Sequence, residues 1–225
     1  MKKRLVALLA IQLNILLINA PVSAQVLSLP APTEAEKEAF YAASIENRVG
    51  DIVTALHLAD EAKAKALHDI LVAQYHDLRV RDAAIDTRLK VDGREVNYTN
   101  RAPLLAAQSR PLHDQFVAKL AAILTPEQVE QVKDLMTYNK VEVTYKAYCV
   151  IVPNLTDKEK AKILDLLKQA REEAIDGGNA PEKSAIFQKY KDQINRYLDA
   201  HGHDTAKAIK DWGAAHPDTN SPVAR

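Results

Sequence analysis

Apolar residues return every three to four positions through most of this chain, and the interruptions between runs are short and polar. Residues at that spacing share one side of a helix, so the pattern describes helices that each bury a single face. It predicts a helix over 34–56 and a second over 60–90, with Leu67, Ile70, Leu71, Gln74 and Leu78 on one face. Gly93 and Pro103 mark a polar loop over 91–103. Helix resumes near Leu104, carries the stripe Phe116, Leu120 and Ile123, and breaks at Pro126. Two further strong runs cover 157–176, stopped by Gly177 and Gly178, and 184–200, with Ile186, Phe187, Tyr190, Ile194, Tyr197 and Leu198 facing inward. "AKAIKDW" adds a turn or two before a tail containing Pro217 and Pro222.

One segment resists this period. "VEVTYKAYCVIV" has the β-branched and aromatic content of a strand, but its alternation is poor and no second strand exists to pair with it. A helix over 143–152, ending at Pro153, is the consistent reading. With only six glycines and abundant Ala, Lys, Glu and Leu, the chain is expected to be all-α, a single-domain bundle of six or seven helices over 34–212. Residues 25–33, "QVLSLPAPT", read as a linker and 213–225 as a disordered tail.

Three corners share a chemistry: "LADEAKAKAL", "LTPEQVEQVK" and "LTDKEKAKIL". Asp60, Thr125 and Thr156 can each cap a helix, an acid or amide follows within the first turn, and Pro126 suits a first helical position. The first and third corners also match at a step of 97, pairing Leu58, Asp60, Lys63, Ala64, Lys65 and Leu67 with Leu155, Asp157, Lys160, Ala161, Lys162 and Leu164. Either a helix-turn-helix unit is duplicated or good capping chemistry recurs.

The first 24 residues change the picture of where the protein works. Lys2, Lys3 and Arg4 precede an apolar run, and Val22-Ser23-Ala24 resembles a cleavage site before Gln25. An export signal at 1–24 is expected; a retained anchor is the alternative. No later run approaches the roughly 20 apolar residues of a membrane span, so the cleaved protein should be soluble and periplasmic or secreted. Losing that leader turns a balance of 30 basic and 30 acidic residues into a slight acid excess. Nucleic acid, which rewards a clustered basic surface, is therefore not an expected partner. The single cysteine, Cys149, excludes an intramolecular disulfide, and its setting in "YCVIV" predicts a buried thiol.

Candidate chemistry gathers around a concentration of tyrosine. Tyr138, Tyr145 and Tyr148 lie close together beside Lys146 in a chain with only 5% aromatic residues. A phenol offers a flat apolar face and a hydroxyl at its edge, which suits a sugar ring. Packing between helices explains the same residues. Arg171, Asp176, Lys189, Lys191 and Asn195 could complete such a site, cations holding an acidic group and Asp or Asn a hydroxyl. The short corner at Pro153 forces the helix over 143–152 against the next, and Tyr145, Tyr148, Arg171 and Asn195 would then share one rim. "HGHD" (His201, His203, Asp204) with His216 has metal-like spacing but no fixed fourth ligand, and no metal or cofactor is expected. Phosphate loops, nucleophile elbows, CxxC pairs and HExxH are absent from the sequence.

Two resemblances follow from quoted motifs. "LTPEQ" behind an export signal is similar to the LTxxQ motif of the Spy/CpxP periplasmic chaperones, although the third corner, "LTDKE", lacks the glutamine. A longer likeness runs from about residue 40 to 204 and is carried by "MTYNKVEVTYKAYCVIVPNLT", "AREEAIDGG" and "KYKDQINRYL". These resemble an exported bacterial family, domain of unknown function 3826, which carries a sugar-binding label and accompanies polysaccharide breakdown. The resemblance implies a carbohydrate ligand and supplies no catalytic residue. Three functions follow as expectations: saccharide binding at the tyrosine-rich corner, glycan cleavage by a lyase or hydrolase, or a Spy-like holdase.

Overall fold

Among the described residues, every helix start but one is closed by a side chain. Thr33, Thr125 and Thr156 each form a full capping box, accepting from the backbone of Glu36, Gln128 and Glu159 while those side chains reach back. Asp60, Asn97, Asn179 and Asp204 accept singly from the third helical residue. The computed structural model describes residues 31–217; the expected signal at 1–24, most of the linker and the end of the tail lie outside the described residues. Within them the chain is all-α, with eight helices: α1 (Glu34–Ala55), α2 (Glu61–Val91), α3 (Tyr98–Ala121), α4 (Pro126–Met136), α5 (Lys140–Ile151), α6 (Asp157–Ala174), α7 (Ala180–Asp199) and α8 (Thr205–Ala215). None of these is long and apolar enough to cross a membrane.

α5 begins at Lys140 rather than 143, without a side-chain cap, and three other boundaries differ from the sequence reading because of a cap. α3 begins at Tyr98 because Asn97 accepts from Asn100 N at 3.0 Å, so the loop shrinks to 92–97 and Pro103 lies inside the helix. α7 begins at Ala180 because Asn179 caps it and Pro181 sits in its first turn. α8 is a full helix of 11 residues, started by Asp204. The pairs α1–α2 and α5–α6 both pack as neighbours across their corners. Their caps, Asp60 and Thr156, stand one residue out of step with the 97-residue sequence match.

Two apolar clusters form the core. One joins α1 to α4 through Val49, Ile52, Leu67, Leu71, Phe116, Leu120, Val132 and Met136. The other joins α5 to α8 through Tyr148, Ile163, Leu167, Phe187, Ile194 and Leu198. α6 links them: Leu166, Leu167 and Ala170 face the second cluster, whereas Ile175, just beyond its end, enters the first. The remaining contact between the two is largely ionic. Arg171 on α6 meets Asp134 (2.8 Å) and Glu130 on α4, and Lys133 meets Glu172 at 2.9 Å.

At the joint between α4 and α5, Tyr138 and Asn139 both adopt left-handed backbone, φ 61° and 53°. Such a turn is unfavourable for a non-glycine residue, and Arg48 from α1 holds it. Its guanidinium lies 3.9 Å from the Tyr138 ring centre and donates to the carbonyls of Leu135 (3.0 Å) and Met136 (3.3 Å) at the end of α4. Cys149 is exposed, against the sequence reading. α5 turns Val141, Thr144, Tyr148 and Ile151 inward, and the residue after Tyr148 is rotated by a helical step to the outer face.

Candidate functional site

The structure distributes the nine residues singled out from sequence over several environments. Tyr148 is fully buried, and its hydroxyl donates to Asn195 Oδ1 at 2.7 Å on α7. Burial raises its pKa far above the phenol range. Lys191, on the same side of α7, is buried and pulled down to about 8 by burial and then by the charge of Lys140. Tyr145 is half-buried against the α5–α8 cluster, and Lys146 is exposed and paired with Glu142. Tyr138 is occupied by Arg48. Arg171 is buried and turns to α4, whereas Tyr148 turns to α7, so these two share no rim. Asp176 and Lys189 meet elsewhere, in a cleft.

That cleft, of about 750 Å³, lies between α3 and the α6–α7 pair. One wall is a single face of α3, running through Tyr98, Ala102, Leu105, Ala106, Ser109 and His113 at helical spacing. Ala102 and Ala106 leave the room that larger side chains would fill. The other wall comes from the end of α6 (Gln169, Glu172, Glu173, Asp176) and from Ile186, Lys189 and Tyr190 on α7.

Ionic struts hold the two walls apart at both ends. At one, Arg101 on α3 reaches Glu182 (3.0 Å) on α7 and Asp82 (3.2 Å) on α2. At the other, His113 Nδ1 lies 3.1 Å from Asp176 Oδ2, and its Nε2 lies 4.0 Å from Glu172. Arg101 and His113 are separated by roughly 18 Å along α3 at about 1.5 Å per residue. Beneath the cleft, Arg81 from α2 donates to Ser109 Oγ (3.0 Å) and to the carbonyl of Asp176 (2.8 Å). The chain turn between α6 and α7 allows this convergence. A Cβ on Gly178 would stand 1.8 Å from Asp82 Oδ2, so a larger residue there would have to push the Asp82 side chain out of its ion pairs.

The charges shape the chemistry. The hydrogen bond to Asp176 raises the pKa of His113, against the opposing effect of burial. With Nδ1 held by Asp176, Nε2 is left 4.0 Å from Glu172, a carboxylate that also lines the cleft. Ser109, one turn earlier, donates its hydroxyl to the carbonyl of Leu105 at 2.8 Å, so it does not hand its proton to His113. Tyr190 donates to Glu173 at 3.1 Å, and burial with the Glu173 charge pushes its phenol up to about 12. Glu173 also takes Lys189 at 2.6 Å. Below the floor, Lys183 donates to the carbonyl of Ala174 at 3.0 Å and is pulled down to about 7, chiefly by burial.

Sequence reasoning missed Tyr98, His113 and Glu173; Tyr190, read as inward, packs against the core cluster and also lines the cleft. The usable signal was Asn97, a cap three residues before Asn100. Starting α3 there puts Tyr98, Ala102, Leu105, Ser109 and His113 on one face. The "HGHD" side chains serve local structure: His203 pairs with Glu159 at 3.1 Å, His201 meets the carbonyl of Tyr197, and Asp204 caps α8.

The chain matches the family described as Protein of unknown function (DUF3826) over residues 42–215, and it belongs to that family. The match covers every element that builds the cleft. No curated protein matches the chain.

Proposed function

We propose that this family member binds a saccharide in the cleft between α3 and the α6–α7 pair, as an exported protein. The observation that carries the reading is the setting of two phenols, Tyr98 and Tyr190, with the half-exposed carboxylates of Glu172 and Glu173 around one groove. A pyranose presents C–H groups on its faces and hydroxyls at its edge. Phenol faces suit the former, and carboxylate oxygens accept from the latter in strong charge-assisted bonds. The cleft volume falls within the roughly 300–1,000 Å³ of small-molecule sites. The sugar-binding label implied by the sequence motifs agrees with this.

Calorimetry against a panel of plant and microbial oligosaccharides tests the proposal. Saturable binding that is lost in Tyr190→Ala is the expected result, and absence of binding across the panel overturns it.

A second reading, glycan cleavage, is favoured by one observation: His113, which lines the cleft, is held through Nδ1 by Asp176. A positioned imidazole is a suitable acid–base group. Incubation with the same panel, followed by assay for new reducing ends or unsaturated products, separates the readings. Turnover that disappears in His113→Ala supports cleavage, and an inert protein that still binds removes it.

A further inference from the structure

We infer that the cleft selects saccharides by charge, accepting neutral or amino sugars and rejecting uronic acids. This rests on the saccharide-binding proposal and adds the ionic class of the ligand. The carboxylates stand in front and most of their cations behind. Glu172 and Glu173 keep 37% and 40% of their side chains exposed, whereas Lys133 and Arg171, which neutralise Glu172, keep 9% and 3%. Arg101, which holds Glu182, keeps 12%.

The two exposed cations at the rim are already paired. Lys189 is bonded to Glu173, and Arg110 is bonded to Asp114 at 2.9 Å on its own helix. His113, the third basic group on the wall, is held by Asp176. A uronate carboxylate entering the cleft would therefore meet Glu172 and Glu173 and would have to compete with an existing carboxylate for any of the three. An ammonium or a hydroxyl meets acceptors without displacing anything. The two phenols sense the same field: after burial, Glu173 raises the pKa of both Tyr98 and Tyr190. Like charges brought together at a binding surface are a recognised source of discrimination.

The test uses calorimetry with three oligomers of matched length: glucosamine, glucose and galacturonic acid, at a pH where the amine is protonated. The expected order is glucosamine at or above glucose, with galacturonic acid weaker than both by at least about tenfold. Added salt should narrow the gap between the charged ligands. Glu172→Gln with Glu173→Gln should narrow it too, and a melting curve confirms that this variant folds. Tightest binding to the galacturonic acid oligomer, or equal binding of all three, overturns the charge selection while leaving saccharide binding intact. Binding of none overturns the saccharide proposal itself.

Discussion

Tyr148 and Tyr190 carry the same phenol into opposite circumstances. Tyr148 comes from the tyrosine-rich stretch of α5, is fully buried, and gives its hydroxyl to Asn195. Tyr190 comes from a helix with no such concentration, stays half-exposed, and gives its hydroxyl to Glu173 beside a cleft. Crowding of tyrosines along the sequence therefore did not mark the groove. Tyr138 sits in the left-handed joint before α5, while Tyr145 and Tyr148, one turn apart on that helix, lie at its half-buried flank and in the core. The cleft is assembled from dispersed positions between 98 and 190, and its charged members each read alone as an ordinary solvated helix residue.

The largest expected contrast is in stability. Tyr148→Ala removes a ring with no exposure and should cost about 3–5 kcal/mol. Tyr190→Ala, at the cleft, should cost about 1 kcal/mol or less. Chemical denaturation of both variants measures the difference. Equal costs would mean that Tyr190 is packing like Tyr148.

A smaller effect is expected at the turn that lets the cleft form. Gly178→Ala drives a methyl into Asp82, which Arg81 and Arg101 hold in place, and should destabilise by about 1–3 kcal/mol. The same change at Gly50, where nothing lies within 4 Å, should not destabilise, because alanine is the better helix former. A Gly178→Ala variant as stable as the parent would show that Asp82 yields freely and that the Arg101 strut is loose.

The smallest effect is a pH dependence from the other strut. The folded pKa of His113 is raised above the ordinary 6.5 by Asp176. Its stabilisation is therefore fully present below about pH 6.5 and is lost as pH rises through the higher folded value. Lys183 acts in the opposite sense: its pKa falls to about 7 from 10.5, so between these values the unfolded chain binds more protons and stability rises with pH. The difference between the parent and His113→Gln isolates the histidine. Melting temperatures across neutral pH should show the parent losing its advantage over the variant as pH increases. Parallel curves would mean that the pair contributes no linked stability.

Much of the fold was legible in the sequence, because helices announce themselves through period and caps. Thr125 with Gln128 and Thr156 with Glu159 are read directly from residue type and spacing, and the structure forms both boxes. The third helix was misread at its start because Gly93 and Pro103 outweighed the Asn97 cap, and this hid the face that lines the cleft. Cys149 differs for a related reason: its apolar run predicts burial throughout, whereas only one side of α5 faces the core. Pairings such as Arg101 with Glu182 and His113 with Asp176 depend on how helices dock, and no local pattern encodes them.

The most direct test of the central claim compares the two tyrosine sets with one ligand. Calorimetry would be run on an oligosaccharide that binds the parent protein, using a Tyr98→Ala and Tyr190→Ala double variant and a Tyr145→Ala variant. The expected result is affinity near the parent value for Tyr145→Ala and a loss of roughly five- to 150-fold for the double variant, given the roughly 0.5–1.5 kcal/mol associated with each aromatic contact beyond burial. Unchanged binding by the cleft variant, with binding abolished in Tyr145→Ala, would contradict it and return the site to the tyrosine-rich helix.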